Sequence, residues 1–213
     1  MKLTTEQIAC FKKEGYLVLR GFASVDFCSQ VVALAEHELQ QQAMPIEFEA
    51  DIQYPGAPSS RSAEGGTTAR RLLMAVSRHS LLLEWATGEP LKGILQQLLG
   101  AGVLLSQAHH NCIMTKQPAF SSSTGWHRDS RYWSFARPEL VSAWLALGDE
   151  RPENGCLRVL PGSHQWDIHA SQLDANQFFR TDVERNKPLL DTLVDVPLHQ
   201  GDLLLFHSNL LHA

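Results

Sequence analysis

Val141-Ser142-Ala143-Trp144-Leu145-Ala146-Leu147 reads as a short strand, and it stands in the middle of a series of them. Val103-Leu104-Leu105 and Asn111-Cys112-Ile113-Met114 precede it, and Cys156-Leu157-Arg158-Val159-Leu160 and Leu203-Leu204-Leu205-Phe206 follow. Glu153-Asn154-Gly155, Pro161-Gly162-Ser163 and Gln200-Gly201-Asp202 supply the turns between the later strands. Upstream the period is helical. Thr4 or Thr5 caps a first helix that buries Ile8 and Phe11 and stops at Gly15, and Tyr16-Leu17-Val18-Leu19 follows as a strand. A second helix runs from Ser24-Val25-Asp26 to Gln42, and helical spacing returns from Leu72 to Leu99, ended by Gly100. Helices first and short strands afterwards predict a mainly β protein with flanking helices, a sandwich or barrel with the helices packed outside one sheet. Residues 45–68 carry Pro, Gly, Ser and the acids Glu47, Glu49 and Asp51 without a period, and are expected to form a flexible flap.

At roughly 150 residues per domain, 213 residues make a single domain spanning 1–213. Eighteen Lys and Arg against 23 Asp and Glu give a net charge of −5, which excludes the basic footprint of a general nucleic-acid or anionic-membrane binder. No stretch approaches the ~18 apolar residues of a membrane span, and Met1-Lys2-Leu3-Thr4-Thr5-Glu6 opens without a signal-peptide core, so a cytoplasmic protein is expected. Cys10, Cys28, Cys112 and Cys156 are scattered and read as thiols in a reducing compartment.

His127-Arg128-Asp129 is the stretch that can carry chemistry. On a strand, residues i and i+2 share a face, so His127 and Asp129 would present an imidazole and a carboxylate to one point. Two His and one carboxylate on one face of an octahedron leave adjacent positions open, the arrangement of non-haem Fe(II) oxygenases. His-x-Asp is common by chance, and the third ligand must come from elsewhere. His207 and His212, at the end of an apolar strand, are the candidates.

Trp144-Leu145-Ala146-Leu147, Asn154-Gly155-Cys156-Leu157, Pro161-Gly162-Ser163-His164 and the closing Leu210-Leu211-His212, in that order, resemble the phytanoyl-CoA dioxygenase family of Fe(II)/2-oxoglutarate oxygenases. The opening from Glu6-Gln7-Ile8 to Gly15-Tyr16-Leu17-Val18-Leu19-Arg20-Gly21-Phe22 also resembles it. The resemblance implies a double-stranded β-helix, the jelly-roll barrel of cupin-like proteins, with helices packed on its major sheet. It makes His127, Asp129 and His212 the iron ligands and leaves His207 and His164 structural roles. It also implies 2-oxoglutarate as cosubstrate, with O2 and a small organic molecule as the other reactants.

Trp144, Met114 and Lys116 fall where the family lines its 2-oxoglutarate pocket, and Arg128 stands between the ligands where the family often has Gln. Trp126, Arg131, Tyr132 and Trp133 are candidates for the primary-substrate pocket, against packing at the barrel rim. Asp129 retains the carboxylate that halogenating relatives replace, so hydroxylation is expected. The family grips the far carboxylate of 2-oxoglutarate with an Arg beyond the distal His, and this sequence stops at Ala213. A truncated sequence is the expectation; otherwise Lys116 or Arg128 holds the cosubstrate, or the barrel binds a metal or ligand without oxygenase activity. A zinc hydrolase on the same triad is a third reading. The 45–68 and 165–188 segments would border the barrel mouth, and neither holds a basic cluster suited to a CoA tail.

Overall fold

The computed structural model describes residues 1–52, 54–136 and 139–213, so Gln53 of the expected flap lies outside the described residues. In chain order the elements are α1 (Thr5–Glu14), β1 (Tyr16–Leu19), α2 (Val25–Gln40), β2 (Ile46–Phe48), α3 (Glu49–Ile52), β3 (Ala69–Leu73), α4 (Ala75–Arg78), α5 (Ser80–Thr87), α6 (Glu89–Leu99), β4 (Cys112–Met114), β5 (Val141–Leu145), β6 (Arg158–Val159), α7 (Lys187–Leu190), β7 (Val194–Asp195) and β8 (Leu203–His207). They gather into two compact units, one of residues 1–28, 93–102 and 125–213, the other of residues 29–92 and 103–124.

In the first unit the N-terminal helix begins as its sequence indicates. The Thr4 hydroxyl accepts the Gln7 N–H at 3.2 Å and the Gln7 side chain accepts the Thr4 N–H at 2.9 Å, a reciprocal cap. Gly15 ends α1 at φ +83, and a Cβ there would meet His164 Nδ1 at 2.4 Å, so both the backbone angle and the space require glycine. The chain then enters β1, one edge of the antiparallel sheet β1-β8-β5. Leu203 of β8 stands opposite Leu19 on one side and Leu145 on the other. Leu203, Leu204, Leu205 and Phe206 are all buried, because a central strand covered on both faces has no polar side and reads as an unbroken apolar run. Each such Leu contributes ~1.5–3 kcal/mol by leaving water. Leu204 and Phe206 pack with Ala146, Val159, Val196, Leu198 and Leu210, while Trp126, Leu160, Phe179 and Leu211 form a second cluster. The strands β6 and β7 pair antiparallel, Val159 opposite Val194.

The second unit is built on the antiparallel sheet β2-β3-β4. Leu72 stands opposite both Ile46 and Ile113, and all three are buried. One residue along, Arg71 stands opposite Glu47 and Met114 and donates to both Glu47 oxygens at 2.7 and 2.8 Å. The helical spacing read from Leu72 onward is thus corrected: Leu72 and Leu73 belong to a strand, and helix begins at Ala75. In the 45–68 segment, which has no period of its own, β2 and α3 form because β3 offers a partner edge. Val103-Leu104-Leu105 is not a strand but irregular backbone with Leu104 93 % exposed; an apolar triplet becomes a strand only where an edge is available to pair.

Candidate metal centre

The geometry of the centre starts in the main chain. His127 and His212 are opposite residues of an antiparallel bridge: the His127 N–H donates to the His212 carbonyl at 2.9 Å and the His212 N–H to the His127 carbonyl at 3.0 Å. Across the other side of residues 211–213, Arg158 and Ala213 exchange N–H···O bonds at 2.9 and 3.0 Å, and the Leu160 N–H donates to the Leu211 carbonyl at 3.0 Å. Ser163 Oγ accepts the Leu211 N–H at 2.8 Å, so the Pro161-Gly162-Ser163-His164 turn pins the segment that carries His212. Directly opposed residues project to the same side of a ladder, which brings the two imidazoles to 4.3 Å between ring centroids.

Each ring is then oriented by the carbonyl two residues before it. His127 Nδ1 lies 2.9 Å from the Gly125 carbonyl and His212 Nδ1 lies 3.0 Å from the Leu210 carbonyl. A carbonyl only accepts, so Nδ1 carries the proton in each neutral ring and Nε2 holds the lone pair. Both Nε2 atoms face one oxygen of Asp129: Oδ1 is 3.3 Å from that of His212 and 3.7 Å from that of His127. The other oxygen, Oδ2, accepts the Ser142 hydroxyl at 2.7 Å. Asp129 does not reach this point by strand alternation, as the sequence suggested. Arg128 is extended, but Asp129 opens a 3₁₀ turn through Tyr132, which swings the carboxylate under the bridge.

His127, Asp129 and His212 are 8, 2 and 5 % exposed, and their ligand atoms all lie within 4.8 Å of one another. Burial drives the His127 imidazolium down to about 3, helped by the charges of His212 and Arg131 and opposed by Asp129, so His127 is neutral and a competent ligand. Burial acts the same way on His212, but the charge and hydrogen bond of Asp129 outweigh it and raise the group above its ordinary value. Two imidazole nitrogens and one carboxylate oxygen, aimed at a common point with their outer atoms already bonded to protein, fit a divalent transition metal.

The remaining sequence candidates separate. His207 is turned away: its ring meets that of His164 at a tilt, 5.3 Å between centroids, and its Nδ1 accepts the Asn209 N–H at 3.0 Å. Arg128 braces the turn that follows β6, its Nη2 donating to the Ser163 and Trp166 carbonyls at 2.7 and 2.9 Å. Its parity, opposite to the ligands, is the reason. Trp126 is a core residue rather than a rim residue, packed on Leu160, Phe179 and Leu211 with the Arg158 guanidinium 5.6 Å from its ring. Trp144 packs against the cluster of Leu204 and Phe206, and its indole N–H is given to Glu150 at 2.9 and 3.0 Å. Burial pushes the Glu150 carboxyl up and the indole N–H works against it. Arg131, Tyr132 and Trp133 follow Asp129 directly, Arg131 lying 4.1 Å from the Phe178 ring centre and Tyr132 meeting Trp133 edge to face at 6.2 Å.

Met114 and Lys116 belong to the second unit. There Met114 pairs with Arg71, and Lys116 Nζ donates to the Ser122 carbonyl at 3.2 Å, its ammonium pushed down by burial and by Arg70. Sequence reasoning missed Ser142 and Ser163. A serine in the middle of an otherwise apolar strand was the available signal for Ser142.

The family profile for phytanoyl-CoA dioxygenase matches residues 11–213. The ectoine dioxygenase of Nocardia farcinica is 24 % identical over 98 % of this chain and 71 % of that protein. Phytanoyl-CoA dioxygenase 1 of Oryza sativa is 23 % identical over 99 % of this chain and 82 % of its own length. Among solved structures, EctD from S. alaskensis with 2-oxoglutarate and 5-hydroxyectoine superposes with a TM-score of 0.73 at 22 % identity, covering 99 % of this chain and 69 % of that one. The fold is therefore a jelly roll, as the family resemblance implied, and the run of short strands had placed it among sandwiches and barrels. No helix among the described residues is long and apolar enough to cross a membrane.

Proposed function

The chain belongs to the phytanoyl-CoA dioxygenase family, and from that premise we propose that His127, Asp129 and His212 hold the iron with which it hydroxylates a small organic molecule. It is an Fe(II)- and 2-oxoglutarate-dependent dioxygenase. The observation that carries the site assignment is the convergence of two oriented Nε2 atoms on Asp129 Oδ1. When bound, the iron and 2-oxoglutarate supply the oxidising power, with decarboxylation of the cosubstrate to succinate.

The protein supplies the rest. The Gly125 and Leu210 carbonyls fix the tautomer of each His, and the Ser142 hydroxyl holds Asp129 Oδ2 so that Oδ1 is presented to the metal. Burial keeps water from the ligands and holds His127 neutral. With iron bound, Asp129 would supply a carboxylate ligand where halogenating relatives leave room for a halide, which favours hydroxylation over halogenation. The bulk charge of −5 argues against a nucleic-acid partner, and the free thiols Cys10, Cys28, Cys112 and Cys156 support a reducing, cytoplasmic setting.

Anaerobic titration with Fe(II) and then 2-oxoglutarate tests this reading through the visible metal-to-ligand charge-transfer band. The band is expected in the native protein and absent from Asp129→Ala and His127→Ala. Iron-dependent succinate formation persisting in either variant would overturn the ligand assignment.

A further inference from the structure

Resting on the iron-site reading, we propose that Phe178 is a positioning residue for the ligand His127, so that docking of the hairpin that carries it is coupled to metal binding. The hairpin spans residues 172–180. The Arg180 N–H donates to the Gln172 carbonyl at 2.9 Å, Leu173 and Phe179 form an antiparallel bridge, and the Asp174 N–H donates to the Phe178 carbonyl at 2.8 Å. At its tip Asp174 Oδ1 accepts the Asn176 and Phe178 N–H groups at 2.8 Å each, and Gln177 turns the chain at φ +61. This hairpin extends the ladder of the metal centre. The His127 N–H and carbonyl are taken up by His212, whereas the Trp126 carbonyl, on the other edge, accepts the Phe179 N–H at 2.7 Å.

Side chains alternate along each segment of a ladder. Trp126, Leu211 and Phe179 share one face, where they form a core cluster, and His127, His212 and Phe178 fall on the other. The Phe178 ring meets the His127 ring edge to face with centroids 5.9 Å apart, inside the roughly 4.5–7 Å over which such rings attract. Gly125 makes room for it, since a Cβ there would stand 3.3 Å from Phe178 Cδ1. Arg131 steadies the ring with a guanidinium 4.1 Å from its centre. The two ligand imidazoles are therefore secured unequally. The His212 ring lies 4.8 Å from Phe206, which is buried in the central strand β8. His127 leans on Phe178, which is half-buried at the end of a tip whose residues 174–177 are all exposed. The hydrogen bond from Nδ1 to the Gly125 carbonyl fixes one point of the His127 ring, and contact with the His212 and Phe178 rings limits its tilt. Without Phe178 the aim of Nε2 loosens and metal affinity falls. Linkage makes the effect reciprocal: a metal that holds His127 in place stabilises the docked hairpin by the same factor.

The test uses Co(II), whose d–d absorption reports ligand geometry, on wild type, Phe178→Leu and Phe178→Tyr. Phe178→Leu is expected to bind cobalt about tenfold more weakly with an altered d–d spectrum, and Phe178→Tyr, which keeps the ring, to restore both. Hydrogen exchange of the 172–180 peptide, followed by mass spectrometry with and without cobalt, reads the reciprocal effect. Cobalt is expected to slow that exchange about tenfold in the wild type, and less in Phe178→Leu at saturating metal. The wild-type comparison needs no variant, so it decides the matter even if Phe178→Leu does not fold. Unchanged cobalt affinity and spectrum in Phe178→Leu, with a shift confined to the urea midpoint of the metal-free protein, would mark Phe178 as packing only and overturn the proposal. Hairpin exchange indifferent to bound cobalt in the wild type would overturn it as well. In both of those outcomes the wild type binds cobalt and the metal centre stands, whereas a wild type that binds no cobalt fails the metal reading and the proposal together.

Discussion

Glu49 and Asp129 are both buried carboxylates, at 0 and 2 % exposure, and the chain surrounds them in opposite ways. Glu49, in the second unit, has a cation built in. Its Oε2 accepts the Ser122 N–H and hydroxyl at 3.2 and 2.5 Å, and Arg70 Nη1 stands 3.7 Å away. Arg70 is itself buried and donates from the same Nη1 to the Ser122 hydroxyl and from Nη2 to the Thr124 hydroxyl, with its Nε 3.4 Å from Glu47. Among the described residues, Asp129, in the first unit, meets the Ser142 hydroxyl at Oδ2 and two imidazoles around Oδ1, and the His127 imidazole is held neutral by burial. A buried acid needs positive charge nearby. At Glu49 a guanidinium stands beside the acid, and at Asp129 two imidazoles converge on one of its oxygens as a donor set for an ion.

This contrast breaks most sharply at Asp129. Replacing it by Ala is expected to abolish iron retention and succinate formation, read as metal per protein after dialysis and as product. The metal-free fold should survive, read as an unchanged urea midpoint of the dialysed protein. The opposite pattern is expected at Arg70: Arg70→Met leaves Glu49 without its cation and should lower stability by ~3–5 kcal/mol, measured by urea denaturation. Removing both charges together, as Arg70→Met with Glu49→Leu, should recover much of that loss, and failure to do so would show that the cluster is not an ion pair in energetic terms.

Smaller changes sharpen the comparison. Ser142→Ala should weaken iron or cobalt binding by about 10–100-fold, with Ser142→Thr restoring it, because Oδ2 loses the hydroxyl that turns Oδ1 toward the metal. An unchanged metal affinity would mean that the imidazoles alone set the carboxylate. The smallest effect is expected from Ser163→Ala, which leaves the buried Leu211 N–H without its acceptor. Its cost is ~1–3 kcal/mol in denaturant stability, and metal affinity should follow only as far as residues 211–213 loosen from the ladder.

Some of this was legible in the residues themselves. The Thr4 cap, the Gly15 stop and the unbroken Leu203-Leu204-Leu205-Phe206 run each have a local cause, and the structure has them where they were expected. The metal centre was legible as a set of residue types, and the choice of His212 over His207 came from resemblance rather than from spacing. What stayed hidden depends on partners distant in the chain. Leu72 looks helical until the edges carrying Ile46 and Ile113 are known, and Val103-Leu104-Leu105 looks like a strand until no such edge meets it. Arg128 beside a ligand invites a role at the metal, yet its target is the Ser163–Trp166 turn. Glu49 sits in the segment without periodicity and Arg70 just beyond it, and hydropathy marks neither charged residue as buried.

The reciprocal bridge between His127 and His212 reaches beyond geometry. Both rings take their orientation from main-chain carbonyls, and their separation is set by main-chain hydrogen bonds. Side-chain substitution leaves carbonyls in place, so mutation can rewrite the walls around the centre while the ligand spacing is inherited unchanged. For directed evolution this divides the molecule into a reaction frame to be left alone and the side chains around it, open to variation.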